Sequence, residues 1–461
     1  MEIFLVVLAI EAGIPVEAAD SDNPSRFSEQ PLPLRSNEFP ERPPPLLELG
    51  DRFLGTGEVN RGFTLPTGAV WNPSFQLFGN FRAAAQTFDD GATRTSEWAN
   101  RLDLYGNLQL AATERILVGF RPLDRNGGFT GYNFEPASRR GFEEHFSLDS
   151  LRPTTLFFEG EFGEIFPRLD KADQRNLDYG FSVGRQPLLL QDGMLVNDDS
   201  IDLVSITRNA LLPKGGSQLK VSALFGWNEI ERNNNVQDNH ARLFGIDARA
   251  DFFRNTVEAD ALYVTADGGG DGFYAGLGSI QRFGRVNTTF RVNTSLALER
   301  SSSRVSNGTL LFTEISLEPT ASHNLLYLDA FWGIDRFSSA DRGPFAGGPL
   351  GRTGILFAAV GLGRYGSPLS NQAAQAAGGA LGYQMFFGEF RRRQLIVELG
   401  GRAPTTAVAS SDKASQASGG VGARLQQAFG RRFVVVLDAF GVVRENSRES
   451  FGGRLELLVK F

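Results

Sequence analysis

The stretch "FGGRLELLVKF", Phe451 to Phe461, decides how the rest of the chain is read. Phe451, Gly453, Leu455, Leu457, Val459 and Phe461 share one parity, and Arg454, Glu456 and Lys460 take the other, with Leu458 as the apolar exception. Strand side chains alternate faces, so this is a strand with one apolar and one polar face. The apolar face needs a surface to meet. It is either the lipid around a transmembrane barrel or the packed side of a soluble antiparallel sheet.

Composition narrows the choice. The 461 residues include no cysteine, three methionines and three histidines, which removes disulfides, thiolate metal sites and covalent haem attachment. No cofactor is expected. The net charge is −7, with no basic cluster, so no nucleic-acid partner is expected. No run reaches the roughly eighteen apolar residues of a membrane-spanning helix. Gly (53) and Phe (39) are abundant, and apolar positions are dealt out by alternation. Bacterial outer-membrane barrels have this make-up, because their apolar side faces lipid.

The alternation recurs along the chain. In "RLDLYGNLQLAA" Leu102, Leu104, Gly106, Leu108 and Leu110 oppose Arg101, Asp103, Tyr105, Asn107 and Gln109. "RVNTTFRVNTSLALE", from Arg285, repeats it, as do segments near 75–88, 219–227, 244–252, 257–264, 326–334 and 433–444. Many run to roughly ten residues, longer than soluble strands usually are and suited to a tilted membrane strand. Very short turns at Thr113-Glu114, Arg254-Asn255, Phe283-Gly284 and Gly430-Arg431 alternate with longer polar connections at 124–153, 228–239 and 404–415. Short periplasmic turns and longer outer loops are the barrel signature. About nineteen strand candidates appear. The weakest, "GILFAAVGLG" (Gly354 to Gly363), is apolar without alternation, and dropping it gives an even eighteen. The segment from Ser338 to Ala377 then becomes one long outer loop able to fold into the pore, with twenty strands as the alternative. The fold expected is an all-β transmembrane antiparallel barrel of about 18 strands (16–20), closed by its last strand against the first near Phe75 to Phe88.

Residues 1–19 read as a truncated secretory signal, with Ile3 to Ile10 as its apolar region and Glu2 where a basic residue is usual. Residues 20–70 form a Pro-rich periplasmic leader or plug, and 71–461 form the barrel. Leu455, Leu457, Val459 and Phe461 resemble the C-terminal signal read by the bacterial barrel-insertion machinery.

Catalytic signals are sparse. There is no Gly-x-Ser-x-Gly elbow, no His-Glu-x-x-His and no Gly-x-x-x-x-Gly-Lys. His145 lies near Ser147 and Asp149, but a solvated loop histidine is the simpler reading, and no enzyme is expected. Asp267 and Asp271 in "TADGGGDGF" could flank a calcium ion, though a flexible outer loop explains them as well, and no metal site is expected. The three arginines at 391–393 fall at a periplasmic turn.

The polar face is more informative. Inward basic residues are expected at Arg82, Arg101, Arg121, Lys220, Arg249, Arg291, Arg424, Arg444 and Arg454. Inward acids are expected at Asp103, Asp247, Asp251, Glu258, Asp260, Glu299, Asp329, Asp335, Asp438 and Glu456. The signs nearly cancel, which predicts weak ionic selectivity. The same residues could equally form ion-pair ladders that hold the barrel's shape.

"LDYGFSVGRQPLLLQDGMLVNDDSIDLVSITRN" (Leu177 to Asn209), with Val183-Gly184-Arg185-Gln186, Asp192-Gly193 and Leu195-x-Asn197, resembles the alginate-export-like outer-membrane barrels. That resemblance implies eighteen strands and passage of an anionic polysaccharide through an Arg-rich lumen. Met194 stands where that family carries Arg. The function expected is an outer-membrane, porin-like channel for passive passage of hydrophilic solutes, with polysaccharide export as the version the resemblance suggests. The partners are then membrane lipid, the insertion machinery and the solute. A structural barrel that sheathes or anchors a protein partner in a surface complex is the alternative.

Overall fold

In the computed structural model the described residues are 42–51, 60–125, 128–134, 148, 150–169, 177–232, 235–267, 270–299, 304–320, 322–406, 416–445 and 447–461. The proposed signal at 1–19 and His145 lie outside them.

Eighteen antiparallel strands form one closed barrel. They are β1 (Ser74–Asp89), β2 (Arg94–Gln109), β3 (Arg115–Phe120, resumed at Gly128–Asn133), β4 (Pro153–Glu161), β5 (Tyr179–Leu190) and β6 (Val196–Leu211). They continue as β7 (Gly216–Asn228), β8 (Arg242–Phe252), β9 (Asn255–Thr265), β10 (Gly272–Phe283), β11 (Val286–Ala297) and β12 (Gly308–Leu317). The last six are β13 (Leu325–Arg336), β14 (Ala374–Phe387), β15 (Arg393–Pro404), β16 (Ser418–Phe429), β17 (Phe433–Arg444) and β18 (Ser450–Lys460). Consecutive strands pair as neighbours, and β18 closes on β1 with Leu455 opposite Ala85 and Lys460 opposite Asn80. Closure leaves no free strand edge, which a membrane requires because lipid cannot satisfy backbone polar groups.

Alternation fixes which face is which. Leu277, Phe290, Val292, Leu328, Leu399, Leu437, Leu455 and Leu457 stand exposed on the outside. One group of phenylalanines sits at the turn ends. Phe253, Phe283, Phe390, Phe429 and Phe433 are all exposed beside the short connections, where aromatic girdles meet the headgroups. "GILFAAVGLG" forms no strand, in keeping with the strand count of eighteen.

The seam continues below β18. Gly79 and Phe461 exchange two backbone hydrogen bonds, of 2.7 and 3.0 Å. A short strand, Leu47–Leu49, then takes the place beside β1 that β18 has vacated, with Leu47 opposite Leu77 and Leu49 opposite Phe75. Phe63–Thr64 pairs with Val70–Trp71 in a hairpin, and Arg168 donates to the Pro66 carbonyl at 2.8 Å. Residues 42–51 and 60–70 thus pack at the rim that carries the short turns. The remainder of the Pro-rich segment lies outside the described residues.

Candidate functional site: a doubly obstructed lumen

Two segments turn into the barrel. The first is the long connection from β13 to β14, residues 337–373, a few residues shorter than the 338–377 expected because Ala374 already begins β14. Its apolar residues explain the unalternating stretch: Leu350, Leu356, Phe357, Leu362 and Leu369 are fully buried. Burying them inside a water-facing lumen removes apolar area that an outer loop would expose. Phe357 meets Phe331 edge-on at 5.6 Å, and Tyr365 packs between Phe88 (5.2 Å) and Phe440 (6.0 Å).

Wall side chains tie this loop's backbone to many strands. Arg82 donates to the Val360 carbonyl (3.3 Å), Arg101 to Gly361 (3.2 Å) and Gln86 to Leu362 (3.0 Å). Glu97 accepts the Arg364 N–H at 2.5 Å, and Glu398 accepts those of Ile355 and Leu356 at 2.8 and 2.9 Å. Arg402 donates to the Ser370 and Gln372 carbonyls, and Arg444 to Pro368. A buried loop needs such partners because its backbone groups have no ladder of their own.

The second segment is the β5–β6 tip, Gln191 to Leu195. Gln191, Asp192 and Gly193 adopt left-handed backbone (φ 51, 52 and 80°), which swings the tip inward instead of out to solvent. Gln191 donates to Asp260 at 2.6 Å and accepts from Arg291 at 2.9 Å. Arg291, with no side-chain exposure, also pairs with Asp192 and Glu258, each at 2.6 Å. Gly276 and Gly278 make room. A Cβ on Gly276 would lie 2.6 Å from the Gln191 side chain, and one on Gly278 would lie 2.6 Å from the Arg291 guanidinium. The two segments meet. Asp341–Arg342 runs parallel to Val196–Asn197, Ser339 donates to the Met194 carbonyl (2.6 Å), and Arg342 donates to the Gly193 carbonyl.

The remaining polar wall is a belt of alternating charge. Arg424 pairs with Asp438 (2.6 Å), Asp438 with Arg454, Arg454 with Glu456, and Glu456 with Arg82 (2.6 Å). Across the β1–β2 register Arg82 sits opposite Arg101, which pairs with Asp103; Asp103 also holds Arg121, which reaches Asp199, each at 2.8 Å. Farther round, Arg249 pairs with Glu258 at 3.1 Å and lines a cavity of about 360 Å³ with Lys220, Asp247 and Asp260. Asp329 is buried in the wall, and Asp251 accepts from Thr256 near a turn. Glu299 lies beyond β11 and accepts the Gly270 N–H, while Asp335 is exposed at the end of β13, in left-handed backbone.

Several groups escaped the sequence reading. Glu97, Glu398 and Arg402 face the lumen and follow the same parity, whereas the Arg185–Asp202 pair breaks it: Arg185 lies opposite Leu156 and on the parity of the exposed Val183, yet borders the outer cavity. The tip could have been read from its apolar residues, Leu188 to Leu190 and Met194 to Val196, which an outer loop would not carry. Asp271 accepts from Tyr263 and the Ala266 N–H, Asp267 faces His240 at 3.6 Å, and no metal-ligating cluster occurs among the described residues.

Two cavities flank the obstruction. The outer one, about 680 Å³, is bounded by Arg101, Arg121, Arg152, Arg185, Asp199, Glu229 and the Phe345, Val360 and Gly361 portion of the loop. The inner one, about 440 Å³, is lined by Phe78, Asn80, Arg82, Arg101, Asp103, Tyr105, Leu458 and Lys460. Arg101 belongs to both.

No family model and no curated protein matches the chain. Solved structures do. A BenF-like porin from Pseudomonas fluorescens Pf-5 shares 11% identity over 84% of this chain and 98% of its own, with a TM-score of 0.56. OccK2 (OpdF) of Pseudomonas aeruginosa shares 11% over 84% and 97%, with 0.55, and the outer membrane protein OpdK of the same organism shares 11% over 84% and 98%, with 0.52. At these identities the likeness is one of fold. The resemblance to alginate-export-like barrels therefore stands for architecture and strand number, without a family assignment. The chain has the fold of the outer-membrane porin barrels, with an apolar outer band suited to that membrane.

Proposed function

We propose that the chain is an outer-membrane channel that passes small hydrophilic solutes passively, along a route from the outer cavity past Arg101 into the inner one. The observation that carries this is that Arg101 lines both cavities, so the two approach each other where its side chain meets the Gly361 carbonyl. The alternating belt supports weak ionic selectivity, because a solute meets both signs at one level. Passage of a polysaccharide, the version the resemblance implies, requires the loop to withdraw from the wall groups that hold it.

Single-channel recording of the full chain in a planar bilayer tests the proposal. Small, weakly selective conductance steps are expected, rising several-fold when residues 344–371 are replaced by a short Gly-Ser linker. A silent barrel that stays silent without that loop would overturn the channel reading and favour the scaffold.

A further inference from the structure

The lumen face of a water-filled barrel gains nothing by carrying apolar side chains, yet one patch of the inner cavity does. Phe78, Tyr105 and Leu458 all lie on the inward parity. Phe78 is opposite Tyr105, and Leu458 opposite Arg82, whose guanidinium reaches the inward loop. Leu458 is the apolar exception in the polar row of β18, and here the exception has neighbours. The Phe78 and Tyr105 rings stack with centroids 5.6 Å apart and planes 24° apart. The Tyr105 ring covers Gly119, where a Cβ would stand 2.8 Å from it, so the glycine lets the ring lie along the wall. Phe78 keeps 36% of its surface exposed, facing the cavity of about 440 Å³.

We infer that Phe78, Tyr105 and Leu458 form a platform on which a neutral pyranose ring of a saccharide stacks in the inner mouth. The inference rests on the channel reading and names its solute class. The cavity has the size of a small-ligand site, and it combines an apolar floor with a few convergent polar groups. Aromatic faces carry partial negative charge and attract the polarised C–H face of a sugar ring. The charged rim is already paired internally: Arg82 to Glu456 and Arg101 to Asp103, at 2.6 and 2.8 Å. A guanidinium already bonded to a carboxylate offers an anion less than a free one would. The same pair presents adjacent donors and acceptors, which suit vicinal hydroxyls, and Asn80 adds an amide. The single unpaired-sign residue at the rim is Lys460, exposed at the cavity edge.

The test uses the full chain and maltotriose as the probe, with benzoate as an aromatic anion for comparison. Maltotriose added on the short-turn side is expected to interrupt the open-channel current. Phe78→Leu, which keeps apolar bulk, and Tyr105→Ala should each weaken that block at least ten-fold, while Phe78→Trp preserves it. Heat-modifiable migration on gels establishes that each variant has folded. Saturation-transfer NMR on the detergent-solubilised barrel reads sugar contact without any current, so a failed channel and a failed platform give different results. Transfer from protein to the ring C–H protons, lost in Phe78→Leu, supports the platform even in a silent barrel. A conducting channel that maltotriose does not block, a block indifferent to Phe78, or benzoate blocking at lower concentration than maltotriose would each overturn it.

Discussion

Arg291 is the most demanding single residue in the lumen. Its side chain has no exposed surface and holds Asp192, Glu258 and Gln191 at once, on a wall that also carries Asp260. Removing one member of a buried charge network leaves the others uncompensated, at a cost of about 3–5 kcal/mol. Arg291→Met should therefore release the β5–β6 tip and lower the thermal midpoint of the barrel, read by loss of heat-modifiable migration. Arg249→Met is the control. Arg249 is half exposed, at 50%, and touches Glu258 alone, so its loss should cost less than about 1 kcal/mol. A second residue-scale effect involves protons. Outside the spanning strands, burial pushes the Glu231 carboxyl up to about 9, with the nearby acids Asp198, Glu229 and Asp199 raising it further and Arg152 opposing. Burial and Asp198 likewise hold Asp341 well above the usual carboxylate range, and Asp341 accepts the Glu231 N–H at 2.7 Å. A native pKa above the unfolded one means the folded state keeps the proton. The stabilisation is complete below about 4.5, the ordinary value of a glutamate, and is lost as pH rises through about 9. Hydrogen exchange across 230–238 and 339–343 should accelerate over that window. Glu231→Gln should flatten the dependence.

At the scale of elements, the loop between β13 and β14 carries the sharpest consequence. Glu398 accepts two of its N–H groups and receives the Tyr327 hydroxyl as well, so one side chain fixes the buried Leu356 turn. Glu398→Ala should free that turn and make the open-channel current noisier, while Glu398→Gln, which can still accept, should change it less. The strands themselves were legible because lipid on one side and water on the other impose a period of two. That pattern located β1, β2, β7, β8, β9, β11, β13 and β17 and the seam between β1 and β18. The inward segments obey no such period. Leu356 is apolar because it packs on Gly400 and Gly422 of β15 and β16, Phe357 because it meets Phe331, and Leu362 because it packs on Ala84 and Ala99 of β1 and β2, contacts set by closure of the barrel and not by neighbours in sequence. The inward charges were legible by parity, yet their pairing was not, since Arg121 finds Asp199 and Arg82 finds Glu456 across strands far apart in the chain. Glu299 and Asp335 show where parity stops. Both lie at strand ends, where the alternation that assigned them has run out.

For the whole molecule, the decisive property is how the charges close around the lumen. The belt consists of two runs that alternate in sign, Arg424–Asp438–Arg454–Glu456–Arg82 and Arg101–Asp103–Arg121–Asp199, which meet where Arg82 sits opposite Arg101. Such a belt resists shear between strands, and it cancels its own field at short range, which is why a net charge of −7 for the chain need not make the pore cation-selective. Glu456 is the link that tests this. It is shared by Arg82 and Arg454, and it stands just above the inner cavity, with Leu458 next on the same face. Glu456→Gln keeps the shape and one acceptor while removing the charge that two guanidiniums share. Under a salt gradient the reversal potential should move toward anions, with conductance little changed, and the shift should shrink as salt rises and the Debye length shortens. Glu318→Gln, in the exposed connection between β12 and β13 and outside the belt, should leave the reversal potential where it was. A Glu456→Gln channel with unaltered selectivity would place the ion path away from the β18–β1–β2 wall, and with it away from Arg101.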